Sequence, residues 1–192
     1  MTNLQKSVLA MLLSFSLMAV TACGGRGGAT EPDIIDEYEQ AMRAFPGSSA
    51  AIDQGLARFK TSYADLTDPA LAERIRATYA ERLFFNDTLH SFGNLEDLVA
   101  YMEKTGAGLS SSRIEVHQLV RDDADVFVRW SMEFKTRAAG REIHSRSIGM
   151  THLRFDEDGR IVLHQDFWDS GHALYAHLPF VGFAVRRARS AM

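Results

Sequence analysis

From Asp33 onward, apolar residues recur first every three or four positions and then every second position. Ile34, Ile35, Tyr38, Met42 and Phe45 fall on one helical stripe, which Pro46 and Gly47 end. A second stripe, Ile52, Leu56, Phe59 and Tyr63, follows Ser49, a residue suited to cap a helix. Asp68 and Pro69 predict the start of a third helix carrying Leu71, Ile75 and Tyr79. Leu83 to Phe85 read as a short strand or turn, and Leu95 to Met102 as a further helix with Leu98, Val99 and Met102 on one face.

After Gly106, Gly108 and a serine cluster the period becomes two. Ile114, Val116, Gln118 and Val120 alternate with polar neighbours; Asp122 and Asp123 turn the chain into Val126–Phe134. A polar loop through Gly140 precedes a long strand over 143–155, which the turn Asp156–Gly159 returns as 161–168. This predicts an antiparallel meander. Pairing Phe155 with Arg160 puts Ser147, Gly149, Thr151 and Leu153 on one face with Val162, His164, Asp166 and Trp168. Arg146, Ile148, Met150 and His152 then share the other with Ile161, Leu163, Gln165 and Phe167. Helices followed by an antiparallel sheet are an α+β plan in which the helices cover one sheet face.

The first residues have a different character. Lys6 precedes an apolar run over 8–20, and Thr21 and Ala22 lead to the single cysteine, Cys23. The run is short for a helix spanning a bilayer, which needs about 20 apolar residues. Val20-Thr21-Ala22-Cys23 resembles the bacterial lipobox, which implies cleavage before Cys23 and lipidation of that residue. The expectation is a signal peptide over 1–22, a lipidated Gly-rich tether over 23–33 and one domain over 34–192. Gly24 is not the aspartate of inner-membrane retention, so the resemblance implies a bacterial cell-envelope protein, lipid-anchored to the outer membrane and facing the periplasm. The membrane is thus an expected partner through Cys23.

Composition fits one domain with its own core: 192 residues, 46% hydrophobic and 24% charged. The formal net charge of −4, without a strong basic patch in the folded region, argues against nucleic acid as a partner. One cysteine permits no internal disulfide.

Two stretches carry a family resemblance. Tyr79 to Asp87 with Gly93 and the helix from Leu95 to Lys104, and Gly149 to Phe155 with Asp158 to Ile161 and His164 to Asp169, are similar to the SnoaL-like, nuclear transport factor 2-like superfamily. The resemblance spans about residues 50–182 and implies a cystatin-like cone: N-terminal helices packed in a strongly curved antiparallel sheet, with a pocket at the wide end. It also implies a possible homodimer through the sheet face.

That fold hosts isomerases, cyclases, hydrolases and binding modules, so chemistry rests on side chains. Asp87 resembles the general-base aspartate of ketosteroid isomerases, although Thr88 stands where many relatives have proline; the alternative is a turn residue bonding backbone amides. Asp166 resembles the closing-strand aspartate of polyketide cyclases, a base able to take a proton alpha to a carbonyl; the alternative is a partner for Arg129 or Arg146. Asp87, Arg129 and Asp166 also imitate the aspartate, arginine, aspartate set of epoxide hydrolases. Tyr79, Phe85, Trp130, Met132, His164 and Trp168 are the candidate ligand-pocket residues.

His144, His152, His164, His172 and His177 lack the short paired spacing of zinc sites, so no metal and no cofactor are expected. The tail over 178–189 mixes apolar residues with Arg186, Arg187 and Arg189, fitting either an anionic membrane surface or a terminal element packed on the domain. The favoured function is a membrane-anchored protein binding a small hydrophobic ligand or a partner protein through the cone pocket or the sheet face. The alternative is a cofactor-free isomerase, cyclase or hydrolase.

Overall fold

A computed structural model describes residues 33–138, 140–177 and 181–191. The expected signal peptide and tether, with Cys23, fall on residues up to 32 and lie outside the described residues. Residues Ile34–Met192 form one compact unit.

Its elements run α1 (Ile34–Ala44), α2 (Ile52–Tyr63), α3 (Leu71–Thr78), β1 (Tyr79–Asn86), β2 (Ser91–Asn94), α4 (Leu95–Ala107), β3 (Leu109–Asp122), β4 (Asp125–Ala138), β5 (Arg141–Phe155), β6 (Ile161–Trp168), α5 (Ser170–Ala173) and α6 (Val181–Ala191), with a 3-10 turn at Tyr175–His177 before α6. The six strands form one sheet ordered β2-β1-β6-β5-β4-β3. This is the expected α+β cone.

The predicted stripes of α2, α3 and α4 bury as their spacing requires, whereas on α1 Ala41 is buried and Ile34 and Ile35 of the predicted stripe stay exposed. Ile52, Leu56 and Phe59 of α2, Leu71 and Ile75 of α3, and Leu95, Leu98, Val99 and Met102 of α4 meet Val126, Val128, Trp130, Leu153, Phe155 and Ile161 in one core. Close approach of α2 to the β5–β6 hairpin depends on Gly55: a Cβ there would meet the Phe155 ring at 2.3 Å and the Gly159 carbonyl at 2.8 Å. Asn94 caps α4, its side chain accepting from the Asp97 amide at 3.0 Å.

Several local expectations change. Helix α2 starts beside Ala51 with no side-chain cap, so Ser49 is not its N-cap. Asp68 lies outside α3: its carboxylate accepts from the Ala70 amide at 2.8 Å and from Arg74 at 2.7 Å, a pairing that holds its pKa below the usual carboxylate value. Tyr79 is already extended and opens β1 rather than closing the helix. Strand β1 is longer than the short segment predicted and runs parallel to β6, so the sheet is a β3–β6 antiparallel meander extended by the parallel β1 and, beyond it, by β2 antiparallel to β1. That pairing links residues far apart in sequence, which local periodicity does not register.

The β5–β6 register places Gly149 opposite Trp168, Thr151 opposite Asp166 and Leu153 opposite His164, the predicted face. At the turn, Phe155 pairs with Ile161 instead of Arg160 across an irregularity, which carries Ile161 into the core. Helices also cover both faces at this end of the sheet. Arg154, which alternates with the core residues Leu153 and Phe155, donates to the Met42 and Phe45 carbonyls at 2.8 and 3.0 Å and so caps α1. Beside it the Tyr38 hydroxyl lies 2.7 Å from His152 Nδ1.

Candidate functional site

The interior of the cone is filled by side chains, and a polar chain runs through it. Tyr63 at the end of α2 and Tyr79 at the start of β1 share a hydroxyl–hydroxyl hydrogen bond of 2.5 Å. The Tyr79 hydroxyl lies 2.7 Å from His164 Nδ1, and His164 Nε2 lies 3.1 Å from Asp166 Oδ1. Thr151 Oγ1 donates to the same oxygen of Asp166 and accepts from Trp130 Nε1 at 2.8 Å. Tyr79 is 0% exposed and His164 1%, whereas the Asp166 side chain keeps 16%. The carboxylate is therefore closer to solvent than the Tyr79–His164 pair that backs it. Burial pushes the Tyr63 and Tyr79 hydroxyls well above the ordinary tyrosine pKa, so both stay protonated.

Asp87 has other work. Its Oδ1 accepts from the Leu89 amide at 2.9 Å and the His90 amide at 2.8 Å, and Tyr101 donates to its Oδ2. Trp168 Nε1 donates to its carbonyl at 2.8 Å. Both carboxylate oxygens are thus engaged in holding the loop between β1 and β2. Burial, followed by the Asp87 charge, raises the Tyr101 pKa, which keeps that donor protonated. Thr88 explains the missing proline: its φ of 72° is in the left-handed region, which a proline ring at about −65° forbids.

The sequence-derived residues consequently separate. Tyr79, Phe85, Trp130 and His164 are buried in the core. Phe85 lies 4.7 Å, ring to ring, from His164, and Trp130 lies 6.5 Å from the half-buried Trp168. Met132 is half-buried and faces a depression of about 600 Å³. Asp166 is partnered by Thr151 and His164, not by an arginine: Arg129 donates to Gln118 and Arg146 pairs with Glu133, both from positions that alternate with the core set. The aspartate, arginine, aspartate set is therefore not assembled.

Two rungs of the sheet dominate the depression: Glu115, Ser131 and Ile148, and next to them Arg113, Glu133 and Arg146. Met132, Ser147 and the α5 residues Asp169, His172 and Ala173 complete it. Arg113 pairs with Glu115, and Glu133 with both His144 and Arg146, so the rim carries both signs of charge. The hydrogen bond from His144 chiefly lowers the Glu133 pKa. Ile148 at 77% exposure, Met150 and Phe167 make an apolar surface on this face. Asp169, directly after β6, caps α5: it accepts from the His172 amide at 2.9 Å, which with Arg189 lowers its pKa.

Sequence reasoning missed Tyr63, Tyr101 and Thr151. Tyr63 and Thr151 were legible only as members of a stripe or a strand face, and Tyr101 reaches Asp87 from another helix. Among the described residues, no group of three or more His, Cys, Asp and Glu side chains has metal-binding geometry.

The comparisons agree with this architecture. Residues 60–164 match the SnoaL-like domain family. No curated protein matches the sequence. Among solved structures, an LEH-like epoxide hydrolase from M. tuberculosis is similar at a TM-score of 0.53 and 13% identity, over 75% of this chain and 95% of that one. A protein of ketosteroid isomerase-like fold from Catenulispora acidiphila, in complex with trimethylamine, gives 0.53 and 13% over 62% and 88%. An NTF2-like protein of unknown function from Exiguobacterium gives 0.51 and 15% over 60% and 98%. The fold and the core layout define an NTF2-like α+β cone. Within that class, the chain belongs to the SnoaL-like domain family.

Proposed function

We propose that this chain is a lipid-anchored SnoaL-like binding protein of the bacterial cell envelope, held to the outer membrane through Cys23, whose working surface is the open sheet face. The observation that supports the reading most is the contrast between the two faces. The cone interior is packed by Trp130, Tyr79, Phe85 and His164, while the depression offers about 600 Å³, with Ile148 on the open face for an apolar body, Met132 reaching it from the core side, and rim ion pairs for polar ends. Asp87, spent on its loop, supplies no base.

The test uses anilinonaphthalene sulfonate as an apolar probe. Saturable fluorescence that Ile148→Asp abolishes, with melting unchanged, supports a ligand in the depression; a signal indifferent to that change sinks it. Pairing of two copies through Ile148, Met150 and Phe167 is the competing occupancy. It shows in sedimentation velocity as a dimer that the same substitution splits. Mass spectrometry of the mature chain from membranes tests the anchor, which requires diacylglyceryl and acyl mass on Cys23.

A second reading, a cofactor-free isomerase, cyclase or hydrolase with Asp166 as base, is favoured by one observation. His164 and Thr151 both bond Asp166 Oδ1, and among the described residues nothing bonds Oδ2. Proton exchange of simple ketones in heavy water, followed by NMR, decides it: catalysed exchange lost in Asp166→Asn supports a base, and no exchange above background removes it.

A further inference from the structure

Helix α6 is an eleven-residue segment, VGFAVRRARSA, without an acidic residue. Among the residues of α6 whose burial is described, Gly182 is buried and Val185 half-buried, and the packing of α6 is chiefly on the neighbouring 3-10 turn at Tyr175–His177. One ion pair fixes its orientation: Arg189 Nη1 lies 2.7 Å from Asp169 Oδ2 at the end of β6. At 100° per residue, Gly182, Val185 and Arg189 share the side facing the domain. Phe183 then points away from it, with Arg187 beside it on the outward side. Phe183 is 67% exposed, and Arg187 is exposed and makes no ion pair among the described residues.

An exposed aromatic ring beside an unpaired guanidinium, on a helix lacking acidic residues, matches the interfacial zone of an anionic bilayer. The ring enters the headgroup and acyl boundary while each arginine near the surface gains from the negative potential. The domain as a whole is acidic, with a net charge of −4 for the chain, so attraction to such a surface must come from a local basic element. We propose that α6 is a membrane-contact helix that inserts Phe183 and sets Arg187 against anionic headgroups. It would turn one defined side of the domain to the bilayer, a constraint that a Gly-rich tether by itself does not impose. The inference does not depend on lipidation of Cys23.

The test uses residues 33–192, whose core from Ile52 to Ile161 lies wholly within that segment. Co-sedimentation is measured with vesicles of phosphatidylglycerol and phosphatidylcholine in equal amounts, and with phosphatidylcholine alone. The expected result is binding to the anionic vesicles only, weakened by salt and by about tenfold or more in Phe183→Ser and in Arg187→Glu. Melting temperature and circular dichroism should not change, because both side chains are exposed. Equal binding to both vesicle types, no binding, or binding indifferent to both substitutions overturns the proposal. So does a solution dimer that Phe183→Ser dissociates without any vesicle binding, which would place a second copy on α6. Failure of Cys23 lipidation leaves the vesicle result standing, and failure of vesicle binding leaves the lipid anchor standing.

Discussion

The Tyr79 hydroxyl lies 2.7 Å from Nδ1 of His164, and both side chains are sealed in the core. This pair sets the direction of the buried chain. A carboxylate only accepts, so the hydrogen between His164 and Asp166 belongs to Nε2. In the tautomer with its only ring hydrogen on Nε2, Nδ1 accepts from Tyr79, and Tyr79 in turn accepts from Tyr63. With that tautomer every donor points towards Asp166.

Removing one link should therefore be felt along the chain. Tyr79→Phe leaves Nδ1 of His164 and the Tyr63 hydroxyl without their partner and should cost about 1–3 kcal/mol in chemical denaturation. Nitrogen NMR should find the hydrogen of His164 on Nε2 in the parent protein. A Phe variant as stable as the parent would show that these polar atoms find other partners.

The outer end of the sheet should govern acid sensitivity. His152 is buried between Tyr38 of α1 and Asp125 of β4, stacked on Phe127 at 4.6 Å, with Arg154 alongside. Burial lowers its pKa below 6.5, and Asp125 only partly opposes this. The unfolded chain thus binds a proton more readily than the folded one, so stability is complete above about 6.5 and falls as pH drops towards the folded pKa. Asp125, held below 3.8 chiefly by its hydrogen bond from Arg154, adds a second loss: its contribution is present above its unfolded pKa and disappears as pH falls through the folded value. Thermal melts across this range should show both steps, and His152→Gln should flatten the upper one. A melt independent of pH between 7 and about 5 would contradict this assignment.

Asp87 is predicted to matter for stability. Asp87→Ala removes the acceptor of two loop amides and of Tyr101, and should cost about 2 kcal/mol, whereas Asp87→Asn keeps an acceptor at Oδ1 and should cost less. Urea midpoints read the difference. Equal stability of all three proteins, with a function lost in both variants, would return Asp87 to the catalytic reading.

Gly149 should tolerate no side chain. A Cβ there would lie 2.4 Å from the Trp130 ring, so Gly149→Ala must displace the indole that bonds Thr151. A loss of about 1–3 kcal/mol and a shift in tryptophan emission are expected. Unchanged emission would mean that the strand, not the ring, gives way.

The sequence by itself determined helices α1 to α4 and the four meander strands, because each is written in a local period: Ile52, Leu56 and Phe59 on one turn-by-turn stripe, Thr151 and Leu153 on one strand face. It also determined the face that Asp166 and His164 share, since residues two apart on a strand point to one side, but the partner opposite each was set by the irregularity at the turn, which puts Thr151 and not Gly149 across from Asp166. Which carboxylate remained open was decided by the tertiary structure. Asp87 and Asp166 both read as bases in their motifs, but Tyr101 and two loop amides occupy one, while a chain from Tyr63 through His164 backs the other. Those partners come from separate elements, and hydrogen bonds between elements leave no periodic trace. The same holds for α1 on the second sheet face, the parallel β1–β6 pair and the exposed side of α6: each depends on which surfaces meet once the chain has folded.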